Sequence, residues 1–274
     1  MLSPSQIKLL CAQYGLTPSK QYGQHYLITD APVKKMIAAA GLTKKETVVE
    51  IGPGFGILTF ALAEHAKQVI AFEIEKKLLP YWEEKQKEYP NVHIVWGNVL
   101  KEMERAVLPA SYTLVANLPY QITSHVIRLF LEAKTPPKRM IIMVQKEVAE
   151  RITAKKGDMN LLGLSVQVYG TPRIVTTVPK GAFWPPPKVN SAVVAIDDIH
   201  KQENADAFFC IARVGFGRKR KQLWRNLSLG LKLPKETVQN AIITVAQNPR
   251  VRAEDLSAEE WMELVRMIGE EGGE

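Results

Sequence analysis

Between residues 47 and 145, short apolar runs alternate with helix-patterned segments, and this alternation restricts the fold more than any other feature of the chain. The runs are Thr47–Ile51, Gln68–Ile74, Val92–Trp96, Tyr112–Asn117 and Arg139–Gln145. Helical spacing marks 57–67, 75–88, 122–133 (with Ser124 as a candidate cap) and 146–154. Strands that are apolar along their whole length bury both faces, and strands joined through helices run parallel. The expectation is therefore an α/β fold with a parallel sheet covered on both sides.

The alternation stops after 161–169, which reads as one more helix. The segments 173–178 and 191–196 read as strands joined without a helix by the Pro-rich loop Phe183–Val189, which predicts an antiparallel pair at the sheet edge. From Ala205 onward only helical segments are visible. The last opens with the capping box Ser257-Ala-Glu-Glu260 and continues in the stripe Trp261, Leu264, Val265 and Ile268. The expected organisation is a sheet domain over 1–198, with a helical extension at its N-terminus, and a small all-helical domain over 199–274.

Charge narrows the range of partners. The formal net charge is +8, yet eight acidic residues lie between Glu254 and Glu274 against Arg266 alone. The first 253 residues thus carry 35 basic and 20 acidic side chains, a balance suited to a polyanion or an anionic membrane surface. Apolar runs such as Met140–Val144 fall far short of the ~20 residues of a membrane span, and the first residues lack a signal-peptide core. Cys11 and Cys210 form no CxxC pair, and the five histidines have no metal-ligand spacing. No membrane, no metal and no disulfide framework are expected, which suits a reducing cytoplasm. Nucleic acid is the expected partner.

The first motif is Glu50-Ile-Gly-Pro-Gly-Phe-Gly56, directly after the first predicted strand. Gly52, Gly54 and Gly56 let the backbone turn sharply and approach a ligand, and Glu50 precedes them. Glu73 closes the second strand, where a carboxylate accepts from both hydroxyls of a ribose. The pair indicates an adenosine-containing cofactor and does not separate a nicotinamide dinucleotide from S-adenosylmethionine. Asn117-Leu-Pro-Tyr120, at the end of the fourth strand, favours the second. Adenine N6 is a poor nucleophile because its lone pair is delocalised into the ring. The Asn117 side-chain oxygen and the Leu118 carbonyl can each accept an N6 hydrogen, Pro119 stiffens the turn, and Tyr120 can stack on an extruded base. The loop Phe183–Val189 presents Phe183 or Trp184 either as a second aromatic clamp or as an apolar plug at the sheet edge. Finally, Arg213, Arg218, Lys219, Arg220, Lys221 and Arg225 lie within thirteen residues that contain no acid, with Phe216 and Trp224 interleaved. Such a run can neutralise phosphates and stack on unpaired bases.

Taken together, these motifs resemble the small-subunit rRNA adenine dimethyltransferases over almost the whole chain. Gly23-Gln24-His25-Tyr26-Leu27, Glu50–Gly56, Glu73, Asn117–Tyr120, the Phe183–Ser191 segment, Phe216–Leu227 (similar to the family's basic helix) and Arg252–Ser257 follow in the family's order. The resemblance implies a Rossmann-like class I S-adenosylmethionine-dependent methyltransferase sheet with a small helical C-terminal domain. It implies dimethylation of N6 on two adjacent adenosines near the 3′ end of small-subunit rRNA in the immature subunit, by a monomer. Carried over, Gln24, His25 and Leu27 border the cofactor and Gly52 lies under its methionine part. Glu73, followed by Ile74, holds the ribose, Asn98 with Val99 meets the adenine, and Asn117 bridges cofactor and target. Two positions depart from the pattern: Asn98 replaces an aspartate, weakening that contact by about 1 kcal/mol, and His25 replaces an asparagine. Both fall on the cofactor side, so activity with altered cofactor affinity is expected. The rival readings are a large-subunit adenine methyltransferase of the antibiotic-resistance type and a non-catalytic RNA-binding assembly factor.

Overall fold

A computed structural model describes residues 1–17, 25–103, 105 and 108–271. Seven strands form one sheet: β1 (Thr47–Ile51), β2 (Gln68–Glu73), β3 (Val92–Trp96), β4 (Thr113–Asn117), β5 (Arg139–Gln145), β6 (Thr171–Val178) and β7 (Ser191–Asp197). Their spatial order is β3-β2-β1-β4-β5-β7-β6. The first five are parallel, and β7 runs antiparallel between β5 and β6. β6 rather than β7 is therefore the edge. Its exposed Ile174, the register shift at Ile174/Thr176 and Pro172 all suit a strand with one unpaired side.

Burial accounts for the apolar runs. Met140–Val144 in β5 and Ala192–Ile196 in β7 are fully buried, each large aliphatic side chain contributing about 1.5–3 kcal/mol. Helices cover both faces, as continuous apolar strands require. Helix Ala31–Ala40 stops at Gly41, whose left-handed φ of 57° suits glycine and whose N–H reaches back to the Ile37 carbonyl. Ser124 is not a cap: helix Thr123–Leu131 follows a single 3-10 turn, Tyr120–Ile122, and has no side-chain cap. A separate two-residue pairing joins Tyr26 to Trp184 and Leu27 to Phe183, tying the segment after the N-terminal helix Pro4–Gln13 to the Pro-rich loop.

The chain divides into two compact units, 1–149 with 171–200, and 150–170 with 201–274. Segment 150–170, expected from sequence within the sheet domain, thus belongs to the helical unit. Ile152, Leu164 and Val166 are buried there, Tyr169 stacks on Phe209, and the Gly157 and Met159 N–H groups donate to the Glu254 carbonyl. Within that unit Gly215 lets helix Ala205–Gly215 pack under Trp261, since a β-carbon there would lie 2.4 Å from the indole. The capping box before helix Ala258–Glu271 is present: Ser257 N–H donates to Glu260, and Glu260 N–H to the Ser257 hydroxyl. No described helix is long and apolar enough to cross a membrane.

Candidate active site

A cavity of about 390 Å3 opens at the carboxyl edge of the sheet, around the ends of β1, β2 and β4. β1 and β4 are neighbours whose connections run in opposite directions, which is where doubly wound sheets bind ligands. The loop after β1 forms the floor. Gly52 has a left-handed φ of 69°, and the space a β-carbon would take there is open, so a ligand can rest against bare backbone. The loop is held from four directions. Gly52 N–H donates to the Phe72 carbonyl (2.9 Å), Gly54 N–H to Glu73 Oε2 (3.0 Å), Trp82 Nε1 to the Gly54 carbonyl (3.1 Å) and the Tyr81 hydroxyl to the Phe55 carbonyl (2.9 Å). Sequence reading missed Tyr81 and Trp82. Two adjacent aromatics inside the charge-rich helix Leu79–Glu88 were the available signal.

Glu73 accepts a second N–H, from Glu75, at 2.8 Å. Both carboxylate oxygens are thereby fixed from behind, with lone pairs left for the cavity that the residue lines. Burial pushes the Glu73 carboxyl above its usual range, and the N–H donors of Glu75 and Gly54 pull it back. Glu50 is buried more deeply and its Oε2 has no hydrogen-bond partner among the described residues. Burial raises its carboxyl to about 8, the Thr59 hydroxyl offsets part of that rise, and the Glu73 charge adds to it.

Glu50 therefore makes stability fall with rising pH. The carboxyl binds its proton more tightly in the folded chain, so its contribution is complete below the usual value of 4.5 and is lost as pH climbs to about 8. Glu50→Gln, neutral at every pH, removes that loss. Its melting temperature minus that of the parent will increase between about pH 5 and about pH 9 in ligand-free thermal unfolding. A gap that does not change with pH contradicts the assignment.

Asn117 Nδ2 donates to the His25 backbone carbonyl at 3.4 Å, which turns the amide oxygen away from that carbonyl. Leu118 N–H donates to the Met143 carbonyl (3.1 Å), and the Pro119 carbonyl accepts from Ile122 N–H and the Thr123 hydroxyl (both 3.2 Å). Asn117 Oδ1 and the Leu118 carbonyl are left as the acceptors at the end of β4. The Tyr120 ring lies 5.6 Å from the His25 ring, and its hydroxyl meets Ser191 Oγ at 2.7 Å. His25 Nδ1 donates to the Pro185 carbonyl at 2.7 Å, since a carbonyl can only accept.

The cavity thus brings together His25, Leu27, Glu50, Gly52, Gly54, Glu73, Ile74, Asn98 and the whole of Asn117–Tyr120. It also gathers Tyr26, Phe55, Ile57 and Ile122, which sequence reading had not assigned. Ile74 is 48% exposed, an apolar surface next in sequence to Glu73 on which a flat ring can lie. Asn98 caps the short helix Val99–Glu102, its Oδ1 accepting from Leu100 N–H at 3.0 Å. Gln24 falls outside the described residues. The Val99 side chain is buried and does not line the cavity. Phe183 is not brought in either: at 2% exposed, it belongs to the apolar core through its pairing with Leu27. Of the two readings of the Pro-rich loop, the structure gives Phe183 the plug.

In the helical unit Arg213, Arg218, Lys219, Arg220, Lys221 and Arg225 are all exposed. Residues 218–221 form a turn between helices Ala205–Gly215 and Leu223–Leu231 rather than part of a basic helix. Phe216 is occupied by stacking on Trp261 at 5.3 Å, while Trp224 lies between the Arg225 and Lys235 cations, each 5.2 Å from the ring. The turn is set by Asn226, a buried amide that donates to the Gly215 (2.7 Å) and Arg218 (3.2 Å) carbonyls. Its signal in the sequence was a polar residue on an otherwise apolar helix stripe.

The sequence from 16 to 270 matches the family model described as ribosomal RNA adenine dimethylase. The chain belongs to that family. A protein of Dehalococcoides mccartyi named ribosomal RNA small subunit methyltransferase A is 46% identical, over 95% of this chain and 91% of that one. A namesake from Geobacillus thermodenitrificans is 37% identical over 96% and 94%. Among solved structures, a dimethyladenosine transferase from Plasmodium falciparum superposes with a TM-score of 0.77 at 26% identity, covering 90% of this chain and 98% of that one. The 23S rRNA methyltransferase ErmE gives 0.73 at 26% identity, over 89% and 99%.

The fold of this dimethylase is that of the class I S-adenosylmethionine-dependent methyltransferases, and its cavity chemistry fits that cofactor. Two buried carboxyls line it, and among the described residues no Lys or Arg does. Such a site suits a ligand bearing positive charge and a ribose. The unpartnered Glu50 Oε2 is an acceptor for a cationic or N–H donor. Both departures from the family pattern, His25 and Asn98, sit in this cavity, and the Asn98 oxygen is shared with its capping role.

Proposed function

We propose that this dimethylase transfers two methyl groups from S-adenosylmethionine to N6 of each of two adjacent adenosines in small-subunit rRNA. In this reading it acts as a cytoplasmic monomer on the immature subunit. The observation that carries it is the meeting, in one cavity, of the glycine loop with its two carboxyls and the Asn117–Tyr120 turn. Glu73 takes the ribose hydroxyls, Ile74 and Asn98 the adenine of the cofactor, and Gly52 gives its methionine part access to backbone. When bound, the cofactor supplies a sulfonium-activated methyl group whose transfer leaves the carbon–sulfur electron pair on sulfur. Asn117 Oδ1 and the Leu118 carbonyl accept the two N6 hydrogens of the target. That draws the lone pair out of conjugation and aims it along the line of transfer, while Tyr120 stacks on the extruded base. The alkylated nitrogen is acidic and releases its proton to water, so no strong base is needed.

The exposed turn Arg218–Lys221 binds RNA phosphates in this reading. Replacing Arg218, Lys219, Arg220 and Lys221 together with Gln will weaken RNA binding. It will also flatten the slope of log affinity against log salt by roughly 3, for four charges at about 0.7 each. Cofactor affinity by calorimetry will not change. An unchanged slope would remove the turn from the RNA interface.

The activity itself is tested with labelled cofactor and either unmethylated small subunits or large-subunit RNA. Transfer to adenosine in the small-subunit RNA supports the proposal. Transfer confined to large-subunit RNA would replace it with the resistance-type activity.

A further inference from the structure

Ser191, which closes the Phe183–Ser191 segment, touches Tyr120 of the site. It is fully buried and pairs with both neighbours of its strand, opposite Gln145 of β5 and Val178 of β6. The preceding residue is fixed as well: Lys146 N–H donates to the Asn190 carbonyl, and Lys180 N–H to the Asn190 side chain. From this rigid position the Ser191 hydroxyl meets the Tyr120 hydroxyl at 2.7 Å. Tyr120 itself sits in a single 3-10 turn and is half-buried, with the His25 ring 5.6 Å from its own.

We propose that Ser191 is a positioning residue: its hydrogen bond to Tyr120 holds the ring against the target adenine, and this tether matters most for the second of the two methyl transfers. The inference rests on the reading that Tyr120 stacks on the base. In the first transfer N6 carries two hydrogens, one for Asn117 Oδ1 and one for the Leu118 carbonyl. The monomethylated nitrogen has one hydrogen and a larger substituent, so one acceptor loses its partner. The orientation of the base then depends more on the stacking surface, and a ring tied to the sheet keeps that surface in place.

The test compares Ser191→Ala, Tyr120→Phe and the double variant, following monomethyl- and dimethyladenosine over time on unmethylated small subunits. Each single variant will lower the ratio of second to first transfer rates by about five- to tenfold, the weight of one hydrogen bond. The double variant will be no worse than either single one, because both remove the same bond. With 2-aminopurine at the target position, quenching of its fluorescence on binding will weaken in both single variants. Additive losses, or an equal loss of cofactor affinity in Ser191→Ala, would overturn the tether in favour of general damage to the fold. Tyr120→Ala separates this inference from the reading beneath it. If Tyr120→Ala transfers at the parent rate, the stacking reading fails. If it is slow while Tyr120→Phe and Ser191→Ala keep the parent ratio, only the tether fails.

Discussion

Replacing Asn117 with alanine will lower methyl transfer by about 10²–10³-fold, the usual consequence of removing one preorganised polar partner from a transition state. The amide donates to the His25 carbonyl, so its oxygen is the half to which the proposal gives an N6 hydrogen. Without it, one N6 hydrogen has no acceptor and the lone pair remains in conjugation with the ring. The substitution also releases the His25 carbonyl, which can turn to water in this half-buried position. Single-turnover rates with saturating cofactor isolate the effect from binding. Asn117→Ala turning over within a few-fold of the parent would mean that the Leu118 carbonyl alone activates the base.

Glu73→Ala carries the second large effect, this time on cofactor affinity. A charge-assisted hydrogen bond contributes about 1.5–3 kcal/mol, and a ribose offers two. The same carboxylate ties down the glycine loop through Gly54 N–H and the turn after β2 through Glu75 N–H. Affinity by calorimetry will therefore fall by about 100-fold or more, with Glu73→Gln between alanine and the parent. Parent-like affinity in Glu73→Ala would move the ribose elsewhere. A loss equal in Glu73→Gln and Glu73→Ala would assign the whole effect to charge.

The parallel half of the fold was legible because each of its strands is locally consistent: β-branched or apolar residues, the right length and a helix pattern on either side. The core site was legible for the same reason. Glu50–Gly56, Glu73 and Asn117–Tyr120 each begin at the carboxyl end of a strand, so the sheet places them side by side whatever the loops do. What escaped depends on contacts between distant segments. Tyr81 and Trp82 support the glycine loop from a charge-rich helix, and nothing local says what these two aromatics reach. Phe183 looked presentable in an extended Pro-rich loop, but pairing with Leu27 turns it into the core. Segment 150–170 carries a helical pattern with nothing local to say which core it joins. Its contacts with Phe209 and Glu254 decide that. The resemblance implies a basic helix over Phe216–Leu227, yet the buried Asn226 amide, bonded to the Gly215 and Arg218 carbonyls, fixes a turn there.

In the proposed function one cavity performs two successive N6 methylations on ribosomal adenosines. Nucleoside mass spectrometry of small-subunit RNA, after incubation with the purified protein and S-adenosylmethionine, tests it most directly. N6,N6-dimethyladenosine will accumulate with time through a monomethyl intermediate and will disappear with Asn117→Ala. RNA and cofactor that both bind, with no methylated adenosine formed, would contradict it and leave the chain an RNA-binding assembly factor.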